Sequence, residues 1–150
     1  RGLGDVYKRQ ISSGASAEVI ALCREFGEYL GYCFQIKDDI FDYFKEANIG
    51  KSTGNDIREG KVTLPLLYAL RQGREEEAAR YLDMILRKDF AAENVDSLIE
   101  FAKANGGIEY AEARMKEYHD KAVDVLLRLP ESGARTSLIQ LADYIMTRSK

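Results

Sequence analysis

The stretch that most constrains this chain is Gln35-Ile-Lys-Asp38-Asp39-Ile-Phe-Asp42, which sets three carboxylates inside an apolar segment. From Ala15 to about Lys45 the apolar residues recur at helical spacing, through Leu22, Phe26, Leu30, Phe34, Ile36, Ile40 and Phe44. On such a helix Asp38 and Asp42 share a face, and Asp39 lies about 100° round from Asp38. Like charges four residues apart cost helix stability. Uncompensated carboxylates on a largely buried helix cost more. A hard divalent cation with oxygen ligands is the simplest compensation. Mg²⁺ suits, because it takes one or two carboxylates, keeps waters and fills its remaining positions with phosphate oxygens. The acids alone leave a solvated acidic face as the alternative.

The segment that follows narrows the choice. Asn48 to Lys61 (NIGKSTGNDIREGK) is polar and studded with Gly50, Gly54 and Gly60, and reads as an ordered loop. It carries Lys51, Arg58 and Lys61, with glycines that let backbone come near an anion. Metal-ligating acids facing cations on a glycine-rich loop describe a diphosphate site.

The rest of the chain reads as helix. Thr63 before Leu64 and Pro65 is a cap-and-proline helix start, and that helix runs to Gly73. Further amphipathic helices are expected at about Glu75–Arg87, Val95–Ala104, Ile108–Leu129 and Arg135–Ser149. No alternating strand pattern or internal repeat is present. The expected fold is all-α, an antiparallel helix bundle with short connections. Gly27 and Gly31 share a face of the first helix, where bare backbone allows a helix or ligand to approach. With 45% hydrophobic and 31% charged residues in 150, the chain has the composition of a soluble globular domain, not a disordered one. Its formal charge of −3 gives no basic footprint for nucleic acid. Cys23 and Cys33 form no CxxC pair, and they point to a reducing intracellular compartment. His119, in KEYHDK, reads as a surface residue.

FQIKDDIFDYF followed by IGKSTGNDIREGKVTLPLLYAL resembles the second aspartate-rich region and following loop of the trans-type polyprenyl diphosphate synthases. The closing LADYIMTRSK is similar to that family's last helix and basic tail. The resemblance covers about Ile11 to Lys150, and the tail and loop look closest to bacterial long-chain synthases of the octaprenyl and heptaprenyl type. It implies a bundle of the isoprenoid synthase type and a cytoplasmic, Mg²⁺-dependent prenyltransferase. Such an enzyme condenses an allylic prenyl diphosphate with isopentenyl diphosphate to an all-trans polyprenyl diphosphate. It also implies a homodimer, with at most transient contact with a membrane surface.

Residue by residue, the resemblance implies that Asp38 binds magnesium bridging the allylic diphosphate. Asp39 and Asp42 complete the acidic cluster in metal-binding or supporting positions. Gln35 would contact the allylic substrate, and Lys51 and Lys61 would hold its diphosphate, which makes Asp38, Lys51 and Lys61 the expected catalytic set. Asp56 would support the metal shell, and Phe34 and Tyr43 would be core. The family's first aspartate-rich motif, its upstream basic residues and a Lys-Thr pair are not found. The chain therefore reads as the C-terminal half of such a domain, 11–150, truncated at its front and inactive alone. RGLGDVYKRQ, residues 1–10, reads as a non-native leader. The competing readings are a non-catalytic partner subunit of a heteromeric synthase and a terpene-cyclase-like diphosphate-binding protein.

Overall fold

The structure, a computed structural model, describes residues 14–44 and 53–148. Seven helices follow one another and no strand occurs among the described residues. They are α1 (Ala17–Phe41), α2 (Asn55–Arg58), α3 (Leu64–Gln72), α4 (Glu75–Leu86), α5 (Ala92–Ala104), α6 (Gly107–Leu127) and α7 (Gly133–Thr147). The all-α expectation holds, with α3 to α7 starting or ending within a few residues of their expected bounds. No helix among the described residues is long and apolar enough to cross a membrane. The chain divides into two compact units, residues 14–35 with 115–148, and residues 36–44 with 53–114.

In the first unit Leu22 and Phe26 of α1 are buried with Ala122, Val125 and Leu126 of α6, and Leu138 and Ile139 of α7 pack against them. The pairings show the directions of the helices. Glu25, Tyr29 and Cys33 meet Arg128, Tyr118 and the Met115 carbonyl in turn, so α1 and α6 run antiparallel. Arg135 donates to the Leu129 carbonyl while Asp143 accepts from His119 Nε2, so α6 and α7 are antiparallel too. Ser132 caps α7 by accepting from the Arg135 amide at 3.2 Å. Two readings change here. Phe34, expected in the core, is 46% exposed with the Arg148 guanidinium 4.3 Å over its ring. His119, expected on the surface, is half-buried, because α7 brings Asp143 to 2.8 Å from its Nε2 and leaves the side chain 17% exposed.

The second unit is built on α3, which packs against α4 and α5. Leu66, Ala69, Val95, Leu98 and Ala102 are fully buried between them, and the Tyr81 and Phe101 rings lie 4.4 Å apart. Ile36, Ile40 and Tyr43 are buried at the end of α1. Helix α1 had been expected to reach Lys45 and stops at Phe41. Beyond it the Asp42, Tyr43 and Phe44 amides donate to the carbonyls three residues earlier, the tighter pattern of a helix end.

Candidate functional site

The candidate residues of the second unit lie at the end of α1 and in the turn that follows the undescribed residues 45–52. Asp38 and Asp39 are half-buried in the last turn of α1. That turn holds no basic residue. The C-terminal end of a helix carries partial negative charge, which adds to that of the two carboxylates. Lys37 precedes them, with its ammonium 5.2 Å over the Phe41 ring. Of the aromatic residues expected to surround the acids, Phe44 is 48% exposed and Phe41 half-buried, while Ile36 and Ile40 line the buried side.

Asp42 behaves differently. It sits past the helix end, 9% exposed, and its side chain accepts two backbone N–H groups. Oδ1 takes the Asn55 amide and Oδ2 the Asp56 amide, each at 3.0 Å. Its own carbonyl accepts from the Gly54 amide at 2.9 Å. A turn expected as loop thus contains the short helix α2, whose first amides are satisfied by a residue distant in sequence. No pattern in the loop itself announces this cap, because the acceptor lies thirteen residues before Asn55. No group of three or more His, Cys, Asp or Glu able to hold a metal is found among the described residues.

Gly54 shows why glycine stands in this turn. Its φ is 75°, in the left-handed region, and a Cβ there would lie 2.4 Å from Val95 Cγ1 of α5. Arg58 donates to the Thr53 carbonyl and closes the turn. Tyr43 shares a 2.9 Å hydrogen bond with the Thr63 hydroxyl, the residue that starts α3. Tyr43 is 1% exposed, which places it in the core as expected.

Lys61 stands at the far end of the turn, 58% exposed, and its Nζ meets Glu59 Oε2 at 2.7 Å and Asp56 Oδ1 at 3.0 Å. Those two carboxylates, Glu59 first, push its pKa upward and keep it a cation. Exposed pairs of this kind are worth little. Gln35 is exposed on α1 in the first unit. Lys51 lies outside the described residues, as does the 1–10 leader reading. Nothing among the described residues approaches Gly27 or Gly31 within 4 Å of a built Cβ, so the face they share is open.

The second unit thus sets paired acids at the end of α1, and Asp42 fastens that end to a glycine turn that leads to Lys61. Comparison with known proteins gives the family. The polyprenyl synthetase family model matches residues 6–102, and the chain belongs to that family. The octaprenyl diphosphate synthase of Haemophilus influenzae is 38% identical over 140 residues, covering 93% of this chain and 42% of that protein. Among solved structures, the geranylgeranyl pyrophosphate synthase of Bacteroides thetaiotaomicron is 43% identical with a TM-score of 0.83, over 93% of this chain and 44% of that one. A polyprenyl synthase from Caulobacter crescentus, complexed with calcium and isoprenyl diphosphate, is 32% identical with a TM-score of 0.82, over 92% of this chain and 42% of that one. The chain spans less than half the length of these relatives.

Proposed function

We propose that this chain is the diphosphate-holding part of a trans-prenyl diphosphate synthase, which joins an allylic prenyl diphosphate to isopentenyl diphosphate. The observation that carries the reading is the pairing of Asp38 and Asp39, at the negative end of α1, with a turn fastened to that helix end and leading to Lys61. Two hard oxygen donors fit Mg²⁺, which needs few protein ligands when phosphate and water supply the rest. The calcium and isoprenyl diphosphate of the Caulobacter relative's structure are in keeping with a divalent cation beside a diphosphate.

In this reading Asp38 and Asp39 hold the cation, and Gln35, Lys51 and Lys61 contact the allylic substrate. A bound Mg²⁺ supplies charge neutralisation for the departing pyrophosphate. The chain's own part is to bind, orient and add cationic charge through its lysines. The carbon–oxygen bond of the allylic diphosphate breaks with its electron pair going to pyrophosphate. The isopentenyl double bond then attacks the allylic carbon, and loss of one proton restores an alkene. The product is an all-trans polyprenyl diphosphate. We assign residues 11–150 to the synthase domain, and the complete enzyme to a homodimer in the cytoplasm that touches membranes only transiently.

The test is calorimetric titration of the chain with inorganic pyrophosphate, with and without Mg²⁺. Binding that needs Mg²⁺ and weakens roughly tenfold or more in Asp38→Ala and in Lys61→Ala is the expected result, the scale of a lost hydrogen bond to a charged group. Metal-independent binding, or none, would sink the reading. Because the chain covers under half of its relatives, no condensation of isopentenyl diphosphate is expected from it alone, and product above background in a radiolabel assay would contradict that.

A further inference from the structure

We infer that Asp42 is the positioning residue of the lysine-bearing turn, and not a ligand of the cation, an inference that rests on the diphosphate-site reading for its functional half. Three successive amides, of Gly54, Asn55 and Asp56, end on this one residue, at its carbonyl, Oδ1 and Oδ2. Both carboxylate oxygens are therefore engaged, and the residue is buried. A cation drawn to Asp42 would have to share each carboxylate oxygen with a part-buried amide N–H that already occupies one of its lone pairs and fixes its direction.

The path from Asp42 to Lys61 is short and continuous. Asp42 Oδ2 holds the Asp56 amide, the Asp56 carbonyl accepts from the Lys61 amide at 2.8 Å, and Asp56 Oδ1 meets Lys61 Nζ at 3.0 Å. On the opposite side Val95 and Ile99 of α5 press on Gly54 and leave the turn no room to slide that way. Removing the Asp42 carboxylate frees the turn on its α1 side and lets Lys61 drift. Outer partners that orient a binding group cost roughly ten- to hundredfold when lost. The effect of Asp42 on an anion should therefore pass through Lys61, while its effect on a bare metal ion should be small.

Three measurements on the 150-residue chain separate the possibilities. Mn²⁺ alone, titrated without phosphate, should bind Asp42→Ala within about twofold of the parent and bind Asp38→Ala far more weakly. Pyrophosphate with saturating Mg²⁺ should lose roughly tenfold in Asp42→Ala when Lys61 is present, and less than about twofold when Lys61 is already alanine. Asp42→Asn, which keeps one acceptor but not the charge, should recover part of that loss. Hydrogen exchange at the Asn55 and Asp56 amides, whose acceptors are lost, should quicken in Asp42→Ala while α3 and α5 stay protected. An Mn²⁺ loss in Asp42→Ala equal to that of Asp38→Ala would overturn the inference, as would a pyrophosphate loss that ignores Lys61. If the parent chain binds neither probe, the diphosphate-site reading falls. The exchange experiment still decides the clamp, because unchanged protection of the Asn55 and Asp56 amides refutes it. Should Asp42→Ala not fold, Asp42→Asn carries the same comparisons.

Discussion

Replacing Gly54 by alanine should destabilise the second unit by about 2–5 kcal/mol, the sum of two separate costs. The left-handed conformation at φ 75° costs an L-residue about 1–2 kcal/mol. The new Cβ would sit 2.4 Å from Val95 Cγ1 and 3.0 Å from Ile99 Cδ1, an overlap that forces the neighbours to move. Ile99 can swing its terminal methyl aside. Val95 cannot do so easily, since it is fully buried on α5 and a β-branched side chain in a helix has one preferred rotamer. Overpacking of this kind costs about 1–3 kcal/mol. A domain of ordinary stability holds only about 5–15 kcal/mol, so the shift should be plain in urea unfolding followed by circular dichroism. The internal control is Gly31→Ala, in the middle of α1 with open space around it, which should stabilise by about 0.5–1 kcal/mol. The pair Gly54→Ala with Val95→Ala separates the two costs, because removing the valine methyls relieves the overlap and leaves the backbone strain. A Gly54→Ala chain within about 0.5 kcal/mol of the parent would refute the geometry of the turn.

Three further outcomes follow from the first unit. Burial pushes the Cys33 thiol up to about 11 from its ordinary 9, against a weaker lowering by its backbone hydrogen bond. The folded chain should therefore alkylate slowly at Cys33 and faster at half-buried Cys23 in a mass-spectrometric time course, and equal rates would count against that burial. The sign for stability follows from a raised folded value: the contribution is complete below pH 9 and is lost as pH climbs from 9 to about 11, a loss that Cys33→Ala should abolish in alkaline melts. His119→Ala removes the 2.8 Å link to Asp143 and should cost about 0.5–1.5 kcal/mol, with faster exchange confined to α7. Unchanged exchange in α7 would show that the histidine does not hold that helix.

Most of the helical plan was legible because periodic apolar positions and strong punctuation agree. Thr63 with Pro65 does start α3, and the break at Gly106–Gly107 does separate α5 from α6. What escaped were contacts supplied from far along the chain. Helix α2 is four residues long, has a glycine at its N-cap and takes its side-chain cap from Asp42, so nothing local signals it. His119 looked solvated because its charged neighbours are all that its own helix shows, and Asp143 arrives only with α7. Phe34 fits the apolar period of α1, yet its ring is left half outside and covered by a guanidinium, the kind of contact that periodicity cannot distinguish from burial.

The reading of Asp38, Asp39 and Asp42 as one cluster assumed an ideal helix through all three. On that helix the third acid falls one turn above the first and the set reads as a single cation site. The chain leaves helical geometry between Phe41 and Asp42, and that single step changes what the third acid can do. Two carboxylates stay on the last turn of the helix, where the partial negative charge of the backbone adds to their own. The third turns to the amides of a neighbouring turn, where its charge is met by N–H groups instead. One short acidic motif then has two surroundings, the helix end for Asp38 and Asp39 and the amides of the turn that leads to Lys61 for Asp42. The division needs Gly54 as much as the acids, because only a residue without a Cβ lets the turn lie against Val95 closely enough for its amides to reach Asp42.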